Sequence, residues 1–467
     1  MGDDQLSIRN LTSNHIRVEK YEIHERVDGA RNGNKVISAS KNATSAFVTA
    51  KPHELVSKEM QTISVLLDPS TFRKVPVKRA KLPSQILCIF FEINDNKYQS
   101  NIIHARTHTQ YLMSVDGNPD PPCKHITIYH PEQHHLVIAF RESYKSWMGS
   151  IRDDVPLSAL SIPGTHNSPT YHHALPSVRC QSVPVIEQLR KGVRFLDVRV
   201  QPEHHKIPLK DEMILVHSIF PISLTGPRHF RPLVREVLQF LEANPSETVI
   251  MSLKREGTGS STDEHLSILL RENYASDPSK WFTAPRIPYL GEVRGKIVLI
   301  RRFGLDPSLQ EEWGGNGWGI DADAWADNSP HAVCPSGDIC FQDFYEVLKP
   351  ENIAQKIQYS VEHLQRASTN TFIRASDSAS TTQPFYINFL TASNFWKMKC
   401  WPYWISTKLN PAIVEHLCLN HNKIEDETIT TGDGSTGIVV CDWVGYRGNW
   451  DIVRCIVGMN SKFEKPR

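Results

Sequence analysis

Two histidines, His166 and His217, each follow a short apolar segment of the kind that forms a buried strand. Ser161–Thr165 precedes the first, and Met213–Val216 precedes the second. An unperturbed imidazole titrates near ~6.5, so one histidine can take a proton while a second one gives a proton near neutral pH. The pair therefore indicates general acid/base chemistry.

Charged and amide side chains stand in the same position after other apolar segments. A single strand-end Arg or Asp is more often part of a structural ion pair than a catalytic group. Together, however, two histidines, several cations and several carboxylates at strand ends indicate a site that handles a phosphate by acid/base catalysis. The set after the histidines consists of Asp197, Arg199, Lys254, Arg301, Arg302, Gln342, Asp343 and Asp442.

The segments that must position these residues alternate between strand-like and helical patterns from about residue 157. Val193–Val200 and Thr248–Leu253 are apolar runs typical of buried strands, whereas Leu233–Leu241 has helical spacing. This alternation predicts a parallel sheet, and about 300 residues suit a TIM-like (β/α) barrel. Active sites of that architecture lie at the C-terminal ends of the strands, where the charged residues occur.

The first part of the chain has a different pattern. Short strand-like runs, such as Ile16–Ile23 and Ile86–Phe91, are separated by Asn, Gly and Pro clusters, and no helical period competes with them. We therefore predict an α/β protein with two domains: an all-β, sandwich-like domain over residues 1–140 and a catalytic barrel over residues 141–467.

The segments of the second domain resemble, in order, the motifs of the phosphatidylinositol-specific phospholipases C. The similarity runs from about Leu157 to about Asp442, whereas residues 1–140 carry no comparable match. The segments that carry it are Ser161–Ser168, Ile186–Arg199, Leu215–His217, Glu247–Lys254, Leu290–Arg302 and Gln342–Tyr345.

The resemblance implies a role for each matching residue. His166 is similar to the general base of the family, Asp442 to the carboxylate that orients it, and His217 to the general acid. Arg199 is similar to the arginine that binds the phosphate. Lys254, Arg301 or Arg302, Asp343 and Tyr345 resemble the residues that bind the inositol.

Asn167 departs from the bacterial pattern, which has Asp at this position, and matches the calcium-dependent eukaryotic members. Arg199, in contrast, stands where those members place a carboxylate ligand, and a guanidinium beside a divalent cation would repel it. Asp197 then pairs with Arg199 or Lys254. We predict an enzyme with no metal and no other cofactor, with Asn167 and Asp197 contributing to the catalytic site.

Composition limits the partners. A net charge of +1 provides no field for binding nucleic acid. The start of the sequence has no secretory pattern, and the nine cysteines show no Cys-x-x-Cys pair, so we expect a cytoplasmic protein with an inositol phospholipid substrate and a transient membrane contact. The oligomeric state stays open.

Three further segments allow two interpretations each. The basic run 72–81 is either a lipid-binding patch or a solvated edge strand, and the aromatic segment 395–404 either contacts lipid or packs internally. The acidic segment 321–327 resembles a calcium loop, but Trp325 occupies a ligand position, which favours an ordinary acidic loop.

Two other functions compete with the leading one. The barrel could have lost its activity and serve as a lipid- or glycan-binding protein, although both histidines, Arg199 and Asp442 are present. It could also be a metal-dependent phosphodiesterase for another phospholipid, which would need a carboxylate cluster where Arg199 stands.

Overall fold

The chain divides into two compact units. The computed structural model describes residues 5–26, 55–80, 82, 85–103, 108–115, 125–140, 144–203, 213–369, 383–422 and 434–465. One unit comprises Met1–Glu142 together with Arg447–Lys462, and the other comprises Ser143–Tyr446 together with Phe463–Arg467. The predicted division between residues 140 and 141 did not include the return of residues 447–462 to the first unit.

The described part of the first unit contains two five-stranded sheets. Its strands are β1 (Leu6–Leu11), β2 (Ile16–Arg26), β3 (Leu55–Leu67), β4 (Phe72–Val75), β5 (Gln85–Ile93), β6 (Asn96–Ile103), β7 (His108–Tyr111), β8 (Met113–Ser114), β9 (His125–His130) and β10 (His135–Phe140). One sheet has the order β4-β1-β10-β9-β7, and the other has the order β3-β2-β5-β6-β8.

Both sheets contribute to one hydrophobic core. Ile8 and Leu136 come from the first sheet, and Val18 and Ile89 come from the second. In β1 and β2 the apolar residues recur at every second position, as expected for strands with one face in the core, whereas β5 and β10 contain consecutive buried residues. The basic run begins with β4, an edge strand, in which Arg73 donates a hydrogen bond to the Leu66 carbonyl over 2.7 Å.

The second unit alternates strands and helices. Its strands are β11 (Ile162–Thr165), β12 (Phe195–Pro202), β13 (Met213–His217), β14 (Phe220–Pro221), β15 (Val249–Arg255), β16 (Trp281–Phe282), β17 (Ile297–Arg302), β18 (Ile320–Asp321), β19 (Ala332–Val333), β20 (Ile339–Gln342), β21 (Phe385–Leu390) and β22 (Ile438–Cys441). The α-helices of the chain are α1 (Val185–Arg190), α2 (Phe230–Ala243), α3 (Asp263–Asn273), α4 (Leu290–Val293), α5 (Pro307–Gln310), α6 (Glu312–Gly315), α7 (Ile353–Ser368), α8 (Pro402–Leu419) and α9 (Asp451–Gly458).

The central strands of this unit run parallel to one another. They follow the order β20-β21-β22-β11-β12-β15-β17, and β18 continues the parallel pairing along the end of β17. Every residue of β17 is buried, as expected for a parallel strand covered on both faces. Among the described residues, no backbone pairing joins β18 to β20 to close the ring.

One strand differs from the predicted pattern. β13, which ends at His217, pairs antiparallel with the end of β12, through Val200–Leu215 and Pro202–Met213, and is not a parallel strand of the barrel. Only about ten residues separate β12 from β13, and a parallel crossover requires roughly a dozen or more. The hairpin nevertheless brings His217 to the C-terminal end of the sheet.

A buried ion pair connects the beginnings of two central strands. Arg194, just before β12, donates hydrogen bonds from Nε and Nη2 to Glu247 Oε2 over 2.9 and 2.6 Å, and neither side chain is exposed to solvent. Nη1 of Arg194 also donates to the carbonyl oxygens of Leu189 and Val193. The guanidinium is thereby compensated by both charge and hydrogen bonds, which burial of a cation requires.

The last helix, α9, belongs to the first unit. Ile452, Val453 and Ile456 are buried there, and Asp451 accepts a hydrogen bond from the Thr109 hydroxyl over 2.7 Å. No helix in the described ranges has the length and apolar composition needed to cross a membrane.

Candidate active site

A cavity of about 430 Å³ opens at the C-terminal ends of the parallel strands. Its position agrees with the placement of active sites in barrels of this type. The lining combines imidazoles, cations, carboxylates and one indole. The lining residues are His166, Arg199, His217, Ser218, Lys254, Glu256, Arg302, Asp323, Trp325, Asp327, Asp343, Tyr345, Thr391, Ala392 and Ser393.

His166 follows β11 directly and is oriented by Asp442, which follows β22. Nδ1 of the imidazole lies 2.9 Å from Asp442 Oδ1, and Asp442 is buried. β11 and β22 are paired neighbours, in register from Ile162–Ile438 to Thr165–Cys441, so both side chains leave the sheet at the same level. Because the carboxylate accepts the Nδ1 proton, Nε2 of His166 is left as a free base.

Burial and positive charge both favour neutral His166. Burial, Arg199 and His217 together lower the pKa of His166 well below its ordinary value. Burial also raises the pKa of Asp442. The positive charge of Arg199 opposes protonation of the His166 ring in addition to the effect of burial, so the neutral form of His166 is favoured. The site therefore holds an imidazole ready to accept a proton.

His217 faces His166 across the cavity. The two rings are 5.4 Å apart between centroids and nearly perpendicular, at 85°. Nδ1 of His217 donates to the Val178 carbonyl over 2.7 Å, because a carbonyl can only accept. Burial and Arg199 lower the pKa of His217, whereas Glu256 and the Val178 carbonyl raise it. His217 therefore holds a proton more readily than His166 does.

Arg199 lies between two carboxylates. Its Nε donates to Asp197 Oδ2 over 3.2 Å, and its Nη1 donates to Glu256 Oε1 over 2.9 Å. The side chain is 13% exposed, and Asp197 is fully buried. Both carboxylates fix the guanidinium fork and leave its remaining N–H groups for an anion. The pKa of Glu256 is lowered to about 2, because Arg199 and Lys254 outweigh the effect of burial.

Asn167, which follows His166 in the chain, is fully buried. Its main-chain N–H donates to Asp197 Oδ2 over 2.9 Å, and its side-chain amide donates to the Val216 carbonyl over 3.3 Å. Its φ of 38° lies in the left-handed region, which asparagine tolerates better than most residues. Asn167 thus connects the loop after β11 to Asp197 and to the strand that carries His217.

The opposite side of the cavity contains an aromatic ring between charged groups. Arg302 lies over the Trp325 ring at 3.9 Å and approaches Asp343 at 3.6 Å. Trp325 Nε1 donates to Asp343 Oδ2 over 2.9 Å, and burial raises the pKa of Asp343. The Tyr345 hydroxyl donates to Asp327 over 2.7 Å. This wall presents both donors and acceptors, as a polyhydroxylated ring would require.

Arg301 and Arg302, which the sequence left as alternatives, lie in different surroundings. Arg302 lines the cavity, whereas Arg301 pairs with Asp321 over 3.1 Å and donates to the Phe303 carbonyl. Adjacent strand residues point to opposite sides, so only one of the two can reach a substrate bound there. Lys254 also lines the cavity, 3.1 Å from Glu256.

Several lining residues were missed by the sequence analysis. Glu256 stands two residues after Lys254 and therefore on the same side of the extended chain, a spacing that could have revealed it. The segment 321–327 is more than an ordinary acidic loop, because Asp323, Trp325 and Asp327 all line the cavity.

Comparison with known proteins supports the same family. The family described as "Phosphatidylinositol-specific phospholipase C, X domain" matches residues 154–303. A 1-phosphatidylinositol phosphodiesterase of Listeria monocytogenes is 33% identical over 165 residues, which cover 33% of this chain and only 48% of that relative. A 1-phosphatidylinositol phosphodiesterase of Staphylococcus aureus is 25% identical over 342 residues, covering 70% of this chain and 97% of the relative.

Solved structures agree with the fold. A structure of the phosphatidylinositol-specific phospholipase C from Staphylococcus aureus superimposes with a TM-score of 0.53 at 23% identity, and it covers 68% of this chain and 97% of that chain. Residues 154–303 of this chain are thus similar to the X domain of the phosphatidylinositol-specific phospholipases C, and the likeness to the solved structure shows a shared fold.

Proposed function

We propose that this protein is a phosphatidylinositol-specific phospholipase C. It cleaves phosphatidylinositol, or a related inositol phospholipid, to diacylglycerol and inositol 1,2-cyclic phosphate. The observation that carries the proposal is the pair of facing imidazoles, 5.4 Å apart, in a cavity that also contains Arg199. The His166 imidazole is hydrogen-bonded to a buried carboxylate, and the His217 imidazole is hydrogen-bonded to a main-chain carbonyl. This difference supports the base role for His166 and the acid role for His217.

The proposed reaction is an internal displacement at phosphorus. Nε2 of His166 takes the proton of the inositol 2-hydroxyl while the oxygen of that hydroxyl forms a bond to phosphorus. The bond from phosphorus to the diacylglycerol oxygen breaks, and that oxygen receives a proton from His217. Asp442 stabilises the imidazolium that forms on His166. The proton count is unchanged overall.

Negative charge grows on the non-bridging phosphate oxygens during this step. Arg199 lines the same cavity as both histidines, and its pairing with Asp197 and Glu256 holds the guanidinium in place before the substrate arrives. A preorganised donor of this kind contributes on the order of 10²–10³ to the rate. The bound phosphate also adds negative charge near His217, which favours the protonated form that the acid role needs.

The wall formed by Arg302, Asp343, Trp325 and Tyr345 would bind the inositol hydroxyls. Arg302 and the Tyr345 hydroxyl can donate hydrogen bonds and Asp343 can accept them, so an inositol hydroxyl can both donate and accept here. Lys254 and Glu256 extend this pattern toward Arg199. We propose that the reaction needs no metal ion, because the Arg199 guanidinium supplies a fixed positive charge in the cavity that can neutralise the phosphate.

We further propose that the enzyme acts transiently at membrane surfaces. Trp396 is 87% exposed, and the neighbouring Phe395 stacks on Phe220 with ring centroids 5.2 Å apart. Exposed aromatic side chains of this kind suit a lipid–water interface. The nine cysteines of the sequence show no Cys-x-x-Cys pair, which supports the proposal of a cytoplasmic location. The shared core of the two N-terminal sheets supports the proposal of a β-sandwich, and we propose a membrane or ligand adaptor role for this domain.

The proposed function is tested by product analysis on vesicles. Vesicles of phosphatidylinositol should yield diacylglycerol and a water-soluble inositol phosphate, whereas vesicles of phosphatidylcholine should yield neither. Arg302→Met provides the matched variant, because it removes the inositol contact and keeps both histidines. Equal turnover of the two lipids by the wild type would contradict the proposal.

A further inference from the structure

A second group of ligating side chains lies away from the active site. His331 precedes β19, Cys340 is in β20, and His363 is in α7. β19 and β20 form an antiparallel pair, with Val333 opposite Cys340, and α7 packs against β20. His331 and Cys340 line a cavity of about 630 Å³ that has no lining residue in common with the catalytic cavity.

The three side chains have the spacing of metal ligands. Their ligand atoms all lie within 4.8 Å of one another, and Cys340 Sγ is 3.7 Å from His331 Nδ1. With Zn–S near ~2.3 Å and Zn–N near ~2.0 Å, the edge of a tetrahedral site between sulfur and nitrogen is about 3.6 Å. The observed separation therefore fits two ligands of one ion without a large rearrangement.

His363 provides independent support. The residue is fully buried, yet neither ring nitrogen makes a hydrogen bond of ordinary geometry, although the main chain of Cys340 lies close to the ring. Buried imidazoles normally have a partner for at least one nitrogen, because an unpaired buried polar group costs about 1–3 kcal/mol. A metal ion bound to one nitrogen would satisfy this ring.

We propose that His331, Cys340 and His363 bind a thiophilic divalent cation, such as Zn²⁺, with the fourth position open to the 630 Å³ cavity. Two imidazoles and one thiolate are a ligand set that zinc prefers over magnesium or calcium. The thiolate leaves a net charge of +1 on the occupied site. Glu362 and Arg366 both line the same cavity and pair with each other over 3.8 Å, so together they leave this charge unchanged.

The site would lie apart from the catalytic cavity. Phe341, next to Cys340, stacks on Trp325 of the catalytic cavity at 3.8 Å, so Cys340 points to the other face of the strand, toward α7. An ion there would link the β19–β20 hairpin to α7. It would support β20, whose end carries Asp343, without touching the substrate.

The competing interpretation is a thiol–imidazole hydrogen bond without any metal, since an S–H···N contact also has a length near 3.7 Å. Cobalt(II) distinguishes the two, because a thiolate bound to Co²⁺ gives a charge-transfer band that a hydrogen bond cannot produce. The experiment uses the reduced, chelator-stripped full chain, titrated with Co²⁺ and then with Zn²⁺ in competition.

We expect the wild type to develop the thiolate band at one Co²⁺ per chain and to lose the band when Zn²⁺ is added. Cys340→Ser should abolish the band. His331→Gln, an exposed position that tolerates substitution without unfolding, should weaken binding by roughly 100-fold or more.

Two cysteine variants serve as controls. Cys334→Ser alters a neighbouring buried cysteine outside the cluster, and Cys180→Ser alters a second group of similar spacing beside His166 and His217. Both should keep the band. No band in the wild type, or a band that survives Cys340→Ser and disappears with Cys180→Ser, would overturn the proposal.

Discussion

The contact between Asp442 and His166 permits a quantitative prediction. Asp442→Asn keeps the shape of the side chain but replaces the charge that accepts the Nδ1 proton. The amide can turn its NH₂ group toward Nδ1, which would place the imidazole proton on Nε2 and block the general base. The observed 2.9 Å contact and the burial of both groups make this effect large.

The magnitude follows from the geometry. At 2.9 Å and an effective dielectric constant of about 20, the attraction between an imidazolium and a carboxylate is roughly 6 kcal/mol. This value is an upper bound, because the asparagine dipole recovers part of it. Since about 1.4 kcal/mol corresponds to a tenfold change in rate, we expect kcat to fall by about 10³–10⁴.

The assay is steady-state turnover of a soluble inositol phosphodiester, which separates chemistry from membrane binding. Asp442→Asn should lower kcat while KM changes little. The matched control, Asp343→Asn, makes the same substitution in the wall that we propose binds the inositol, and it should act mainly on KM. Thermal unfolding of both variants confirms that each is folded. An Asp442→Asn enzyme that retains more than about a tenth of the wild-type kcat would refute the assigned role.

Three further predictions concern pH, metal dependence and stability. The pKa values of His166 and His217 are both lowered, and that of His166 is lowered further. We therefore expect kcat/KM to be bell-shaped in pH, with its maximum below pH ~6.5. The acid limb reports protonation of the base His166, and the alkaline limb reports loss of the proton from the acid His217. A rate that rises and then plateaus with pH would instead indicate a metal-bound hydroxide. Wild-type turnover should be unchanged in excess chelator. Arg199→Asp should lower kcat by at least about 10²–10³, and added Ca²⁺ should restore part of the lost activity of this variant. Wild-type activity that is lost in chelator would contradict the prediction of a metal-independent reaction. Glu247→Ala should lower the free energy of unfolding by roughly 3–5 kcal/mol in denaturant titrations, because it leaves Arg194 charged and buried without its partner; a loss below about 1 kcal/mol contradicts it.

Local patterns of the sequence were sufficient to predict that several charged side chains lie together at the ends of strands. His166, Asp442 and Arg302 meet because parallel strands end at the same edge of the sheet, and that rule needs no knowledge of the connections. The pattern could not predict how β13 pairs, because strand direction depends on the length and path of the connection and not on the apolar run itself.

Residues on loops were harder to identify than residues at strand ends. Trp325 was interpreted as evidence against a calcium loop, but its contacts to Phe341, Arg302 and Asp343 come from distant segments. That α9 belongs to the first unit was also not predictable, because it too depends on contacts with distant segments. Its apolar stripe indicates a buried helix, yet nothing in its own sequence specifies which unit covers that face.

The central claim is that two histidines transfer protons during an attack by the neighbouring hydroxyl on phosphorus. ³¹P NMR of phosphatidylinositol turnover in excess chelator tests this most directly, because a five-membered cyclic phosphate has a distinctive chemical shift. We predict that inositol 1,2-cyclic phosphate appears before any acyclic phosphate, and that neither forms with His166→Ala or His217→Ala. Direct formation of an acyclic inositol phosphate by the wild type, or a cyclic product from either variant at a near-normal rate, would contradict the account.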